Sequence, residues 1–152
     1  MSEEFVLRPT HEADMERVFR LSNDPDVRRQ SISTGEIAWE RHVEWFGGML
    51  REAPQDFLIA ETSAKEFIGQ IRFKKLEEGV LISISLCREF RGRGLGEKLL
   101  RKALEHSSHR VFLAWVKVQN PASWKMFEKT GFVETGQTCI EGQAYKVYRY
   151  EK

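Results

Sequence analysis

Arg91-Gly92-Arg93-Gly94-Leu95-Gly96 stands between two segments of different periodicity. Before it, residues 80–87 alternate: Ile82, Ile84 and Leu86 share one face and Ser83 and Ser85 the other, as in a strand. After it, Leu99, Leu100, Ala103 and Leu104 recur at helical spacing, so a helix starts near Gly94. A strand, a glycine loop and a helix in that order present unpaired backbone N–H groups at the positive end of a helix dipole, which is an anion site. Arg88, Arg91 and Arg93 add positive charge. A P-loop requires Lys-Ser or Lys-Thr after its last glycine, and none follows. A dinucleotide fingerprint would place its third glycine at Glu97 or Leu99. Taken alone, the loop also reads as a plain tight turn.

Outward from the loop, residues 5–7 read as a first strand. Thr10 can cap a helix over residues 11–22, which Asn23-Asp24-Pro25 stops because the residue before proline is pushed out of the α region. Ser33 and Glu36 have capping-box spacing and open a second helix that ends near Arg51. Its apolar face reads as Trp39, Val43, Phe46 and Leu50, with His42, Trp45 and Met49 beside it. Residues 57–61, 66–75 and 80–87 read as a meander of three strands; in the second, Phe67, Ile71 and Phe73 share one face and Gln70, Arg72 and Lys74 the other. Residues 111–118 form another strand. Asn120-Pro121 opens a helix that Gly131 caps, and residues 132–140 and 144–150 form a hairpin around Glu141-Gly142. The order β-αα-βββ-α-β-α-ββ describes a mixed α/β domain: one twisted sheet of about seven strands with four helices, spanning residues 1–152 as a single domain.

The length of 152 residues suits one domain with a core of its own. A net charge of +1 argues against a nucleic-acid partner that needs a broad basic face, yet leaves room for a small anionic ligand. Cys87 and Cys139 lie in apolar runs away from clustered histidines, so they read as small buried hydrophobes, and neither a disulfide scaffold nor a metal site is expected. No apolar run reaches a membrane span and no secretory signal is visible, which makes the cytoplasm the default location.

Arg91-x-x-Gly94-x-Gly96 resembles the Gln/Arg-x-x-Gly-x-Gly/Ala signature of the GCN5-related N-acetyltransferase (GNAT) superfamily, and Leu86 precedes Arg91 at that family's spacing. Asn120-Pro121-Ala122-Ser123 followed by Phe127-Glu128-Lys129-x-Gly131-Phe132 resembles its second block. The resemblance covers essentially the whole chain in element order. It implies an enzyme that uses acetyl-CoA as co-substrate and needs no metal. Backbone amides of Arg91, Gly92, Arg93, Gly94, Leu95 and Gly96 would hold the pyrophosphate. Pantetheine would run as a pseudo-strand beside Ile84 and Leu86, where the two central parallel strands splay. The Leu86 N–H would polarise the thioester carbonyl. Asn120 would bond the pantetheine arm, with Ser123 and Phe127 against it. A neutral amine would attack the thioester directly.

One position departs from that pattern: the tyrosine that commonly protonates the departing thiolate is Phe127 here. Water, Ser123 or another hydroxyl must then serve, or the fold is an acetyl-CoA-binding module with little turnover. Glu36, His42, Glu44 and Glu61 are the candidates for a general base, with His42 and Glu61 foremost. Ser22–Arg28 and His42-Val43-Glu44-Trp45-Phe46 resemble a branch that holds the ribosomal-protein N-terminal acetyltransferases (RimJ/RimL-like) and the PseH-like enzymes, which acetylate a UDP-linked 4-amino sugar. Trp39, Trp45 and Trp124 offer faces for a sugar or uracil ring, and Arg28 and Arg29 offer paired donors for a diphosphate. The expected acceptor is therefore a small-molecule amine, foremost a nucleotide sugar, then a protein N-terminus. Monomer and homodimer both remain open.

Overall fold

The computed structural model describes residues 5–152. Its elements are β1 (Phe5–Pro9), α1 (Met15–Ser22), α2 (Pro25–Gln30), α3 (Trp39–Glu52), β2 (Phe57–Thr62), β3 (Phe67–Lys75), β4 (Val80–Leu86), α4 (Leu95–His106), β5 (Val111–Lys117), α5 (Pro121–Lys129), β6 (Val133–Ile140) and β7 (Gln143–Glu151). The strands form one seven-stranded sheet in the order β1-β2-β3-β4-β5-β7-β6. The mixed α/β class and the seven strands match the sequence reading; a fifth helix is added. The chain divides into two compact units, Met1–Arg72 with Ile84–Arg91 and Phe73–Ser83 with Gly92–Lys152.

In the first unit β1 and β2 run antiparallel, as do β2 and β3. Phe57 and Ile59 of β2 pack with Val18 of α1 and Phe46 of α3, and Met15, Trp45, Met49 and Leu50 close around them. Gln70 and Arg72 lie in register with Ile59 and Phe57, so they share that covered face. Gln70 is buried there, and the Arg72 guanidinium lies 5.0 Å over the Trp45 ring. A bulge between Ala60 and Glu61 sets Phe67 opposite Glu61.

The added helix is α2. Asp24 stops α1 and starts α2 at once: its side chain accepts from the Asp26 N–H, and Pro25 takes the first helical position. The expected start of the next helix at Ser33 is not observed, and α3 begins at Trp39. Asn23 accounts for the difference. Its amide donates to the Ile37 carbonyl at 3.0 Å, and its oxygen accepts from the Ile37 N–H at 2.8 Å. Arg28 donates to the carbonyls of Ser33 and Gly35. These bonds hold the segment before α3 in a non-helical course. Within α3 the buried residues are His42 and Phe46, whereas Val43 and Trp39 are exposed, so the core seam is rotated from the predicted one.

In the second unit β4 and β5 are parallel at Val80↔Phe112 and Leu81↔Leu113, and β5–β7–β6 continue antiparallel. Leu95, Leu99, Leu100, Ala103 and Leu104 are the buried residues of α4. Gly131, at φ +103°, ends α5: its N–H bonds the Glu128 carbonyl and the Phe132 N–H bonds that of Phe127. Cys139 does not follow its prediction; it is exposed on β6, which pairs on one side only. Cys87 is half-buried, and burial pushes its thiol up to about 11.

Gly69 is a close approach in the first unit. A methyl there would run into the Ser85 carbonyl oxygen and stand 3.1 Å from both Cα and Cδ2 of Leu86. Gly69→Ala is expected to cost about 1–3 kcal/mol through forced backbone displacement, read as a lower denaturant midpoint at unchanged m-value.

Candidate active site

In the first unit, Arg91 ties three segments together. Its Nε donates to the Leu86 carbonyl at 2.9 Å, while its terminal nitrogens meet Asp26 at 3.0 Å and Asp24 at 3.3 Å. Burial raises the Asp24 carboxyl, but the Asp26 N–H and the Arg91 charge outweigh it and leave it below the usual carboxylate range. The Arg91 charge is thus largely spent on acidic partners.

Both foremost base candidates have partners within the first unit. His42 is buried, with its Nε2 donating to the Met15 carbonyl at 2.8 Å, and its ring is packed among Phe19, Trp39, Trp45 and Phe46. Burial lowers its pKa despite that hydrogen bond, so it stays neutral at pH 7 as part of the core. Glu61 accepts from Arg8 at 2.9 Å and from Arg17 at 3.1 Å, and Arg8 also clasps the fully buried Asp14 through two bonds of 2.8 Å. The Arg8 hydrogen bond foremost, with Arg17, holds Glu61 below the ordinary carboxylate range, which suits a structural ion network rather than proton abstraction near neutrality. Glu36 and Glu44 are exposed.

The expected diphosphate clamp is also engaged elsewhere. Arg28 spends its guanidinium on the carbonyls of Ser22, Ser33 and Gly35, and Arg29 pairs with Asp26 at 2.7 Å. Trp39 is exposed and meets Phe19 edge-on, while Trp45 packs on Phe46 and Phe57. Composition and spacing gave no signal for Gln70. Its buried Nε2 donates to Ser22 Oγ at 3.1 Å, and its Oε1 has no hydrogen-bond partner.

In the second unit, Gly92 and Gly94 have φ of +75° and +76°, and Gly94 caps α4 in the left-handed conformation. A Cβ on either glycine would meet nothing within 4 Å. The glycines therefore serve the backbone course and leave open the space a ligand would need to reach the first-turn amides of Leu95 and Gly96. Asn120 stands at the N-cap of α5 without spending its side chain on the cap. Ser123 is half-buried, and Trp124 donates to the Val118 carbonyl and lies under Lys146. Phe127 is buried, edge-on to Phe132 and stacked with Tyr148. The Tyr148 hydroxyl donates to Glu128 at 2.6 Å, whereas the buried Tyr145 hydroxyl has no partner. Among the described residues, no cluster of His, Cys, Asp or Glu is placed to hold a metal ion, and no helix is long and apolar enough to cross a membrane.

A strand–glycine-loop–helix unit within this sheet order defines a mixed α/β fold. The family model for the Acetyltransferase (GNAT) domain matches residues 4–133, and the chain belongs to that family: it is an N-acetyltransferase. It is 30% identical over 142 residues to "Putative phosphinothricin acetyltransferase YwnH" of Bacillus subtilis (strain 168), covering 86% of this chain and 85% of that one. Its fold is similar to that of the Vibrio cholerae spermidine N-acetyltransferase solved with CoA and spermine, with TM-score 0.82 at 20% identity over 95% of this chain and 92% of that one. It is also similar to the crystal structure of a protein described as a putative phosphinothricin N-acetyltransferase, with TM-score 0.80 at 25% identity over 97% and 98%.

Two predictions follow from these geometries. Asp14 and Glu61 both have depressed carboxyl pKa values, so their stabilisation is full above the unfolded values of about 4 and is lost as the pH falls through the folded ones. Arg8→Met should cost about 2–3 kcal/mol at pH 7, less than a fully buried pair because Arg8 is 23% exposed. That deficit should shrink below pH about 4 in denaturant titrations. Gly94→Val sets a branched side chain at positive φ in the ligand's space, and should weaken CoA binding in calorimetry by at least ~1.4 kcal/mol, a tenfold loss.

Proposed function

We propose that the chain transfers the acetyl group of acetyl-CoA to the primary amine of a small molecule. The opening of α4 carries this reading: two positive-φ glycines with open space above them precede a twelve-residue helix whose first amides are free of side-chain caps. A pyrophosphate would accept there from the amides of residues 92–96, the Arg91 amide being already bonded to the Arg88 carbonyl, and Asn120 has a side chain available for the pantetheine arm. The Leu86 N–H is assigned to the thioester oxygen. The neutral amine nitrogen bonds the thioester carbon and loses its proton to water. The C–S bond then breaks, and CoA leaves as a thiolate that takes up a proton.

The names of the relatives, phosphinothricin and spermidine N-acetyltransferases, support a compact amine as acceptor. The nucleotide-sugar reading needed Arg28 and Arg29, and their donors bind carbonyls and Asp26 instead. Release of free thiol from acetyl-CoA should be measured across spermidine, phosphinothricin, a UDP-linked 4-amino sugar and a peptide with a free N-terminal serine. Turnover with either small amine, at least tenfold faster than with the sugar nucleotide or the peptide, is the expected result. Preference for the sugar nucleotide or the peptide would overturn the acceptor class, and no thiol release from any of them would overturn the transfer itself.

A further inference from the structure

We propose that Gln70 holds the acceptor amine, its Oε1 accepting a hydrogen bond from the acceptor N–H; this rests on the acetyltransferase reading above. Gln70 is 9% exposed and lies in register with Ile59, on the face of β3 that α1 and α3 cover. An aliphatic side chain would be the ordinary occupant of such a position, and a buried amide oxygen is ordinarily hydrogen-bonded. Here one end of the amide is anchored and the other is open: Nε2 donates to Ser22 Oγ at 3.1 Å, and Oε1 is buried without a partner. The anchor is itself fixed, because the Ser22 carbonyl accepts from Arg28 Nε at 2.9 Å. The open oxygen is thereby held in place before any ligand arrives.

Its position along the strand assigns the ligand. The neighbouring Gly69 lies so close to Ser85 and Leu86 that a Cβ would strike their backbone, and Leu86 carries the N–H assigned to the thioester. Gln70 therefore follows directly on the residue that touches the reacting end of β4. The oxygen is neutral, and that matters chemically. It accepts an N–H from an amine without holding the nitrogen in its charged form, as a carboxylate would, so the lone pair stays available for attack. The acceptor it fits is a small molecule with a primary amine.

Gln70→Met keeps the length and removes both polar ends, Gln70→Glu puts a carboxylate in place of the amide, and Ser22→Ala releases the anchor. With spermidine as the probe, Gln70→Met should raise the acceptor KM roughly 10- to 100-fold while CoA affinity stays within about twofold. Gln70→Glu should move the acid limb of kcat to higher pH by about one unit, because its charge stabilises the bound ammonium. Ser22→Ala should raise the same KM about threefold, an effect near half of one tenfold step in free energy, and supplies the test should the Gln70 variants fail to fold. An active enzyme whose folded Gln70→Met or Ser22→Ala variant keeps the wild-type acceptor KM, or whose Gln70→Glu profile does not move, overturns this assignment alone. A wild-type chain that releases no thiol with any amine overturns the transfer reading and this assignment with it.

Discussion

The Arg91 guanidinium is the interaction on which the first unit's arrangement depends. Three of its nitrogens meet three acceptors drawn from the end of β4, the cap of α2 and the first turn of α2. A lysine has one compact charge and cannot reproduce a planar fork that addresses a carbonyl and two carboxylates together. Asp24 serves both sides of the junction: one oxygen caps α2, while the other faces Arg91. The Arg91 side chain is thereby held within the first unit. An arginine beside a glycine loop invites assignment to a phosphate, but here its guanidinium is engaged by a carbonyl and two carboxylates of the protein itself.

Most of the architecture was legible because local signals agreed with one another. The alternation of Ile82, Ile84 and Leu86, the leucine repeat after Gly94, Pro121 at a helix start and Gly131 past a helix end each specify an element that forms. The misreadings arose where distant side chains bond to backbone. Ser33 and Glu36 have the spacing of a capping box, yet Asn23 and Arg28 claim the carbonyls and amides of that segment from outside it. A capping box is a local contest among a few residues, and it cannot register partners from outside its own span, here 5 to 14 positions away. Asn-Asp-Pro was read as a stop only, although proline is as well suited to the first position of a helix as it is unsuited to the interior.

The backbone course of the glycine loop was legible in the sequence, whereas the surroundings of the candidate side chains were not. Glycines announce themselves, because a positive φ leaves few other choices. Titratable side chains do not: His42 and Glu61 have the right chemistry for a base, but whether they act depends on what faces them. His42 faces a carbonyl and four aromatic rings, and Glu61 faces two arginines. Gln70 was hidden for the converse reason. Alternation groups it with Arg72 and Lys74 on one face of the strand, and only the register with Ile59 reveals that Gln70 is covered there. The informative feature is a polar group at a position that packing alone would give to an apolar one.

Phe127 bears on where the chemical difficulty lies. Its buried ring between Phe132 and Tyr148 has no proton to give, and the Tyr148 hydroxyl is committed to Glu128, with burial and that carboxylate both pushing its pKa up. A thiol with pKa near ~8.5 leaves readily without an acid, whereas an alkylammonium near ~10.4 is almost wholly unreactive at pH 7 until it loses a proton. In the proposed reaction the demanding proton is therefore the one on the acceptor, and the dispensable one is that delivered to the thiolate. A chain that forgoes the hydroxyl at Phe127 gives up little. One that favoured the charged form of its amine, by facing it with a carboxylate, would give up far more. A neutral oxygen on the acceptor's side of the reaction is consistent with that asymmetry.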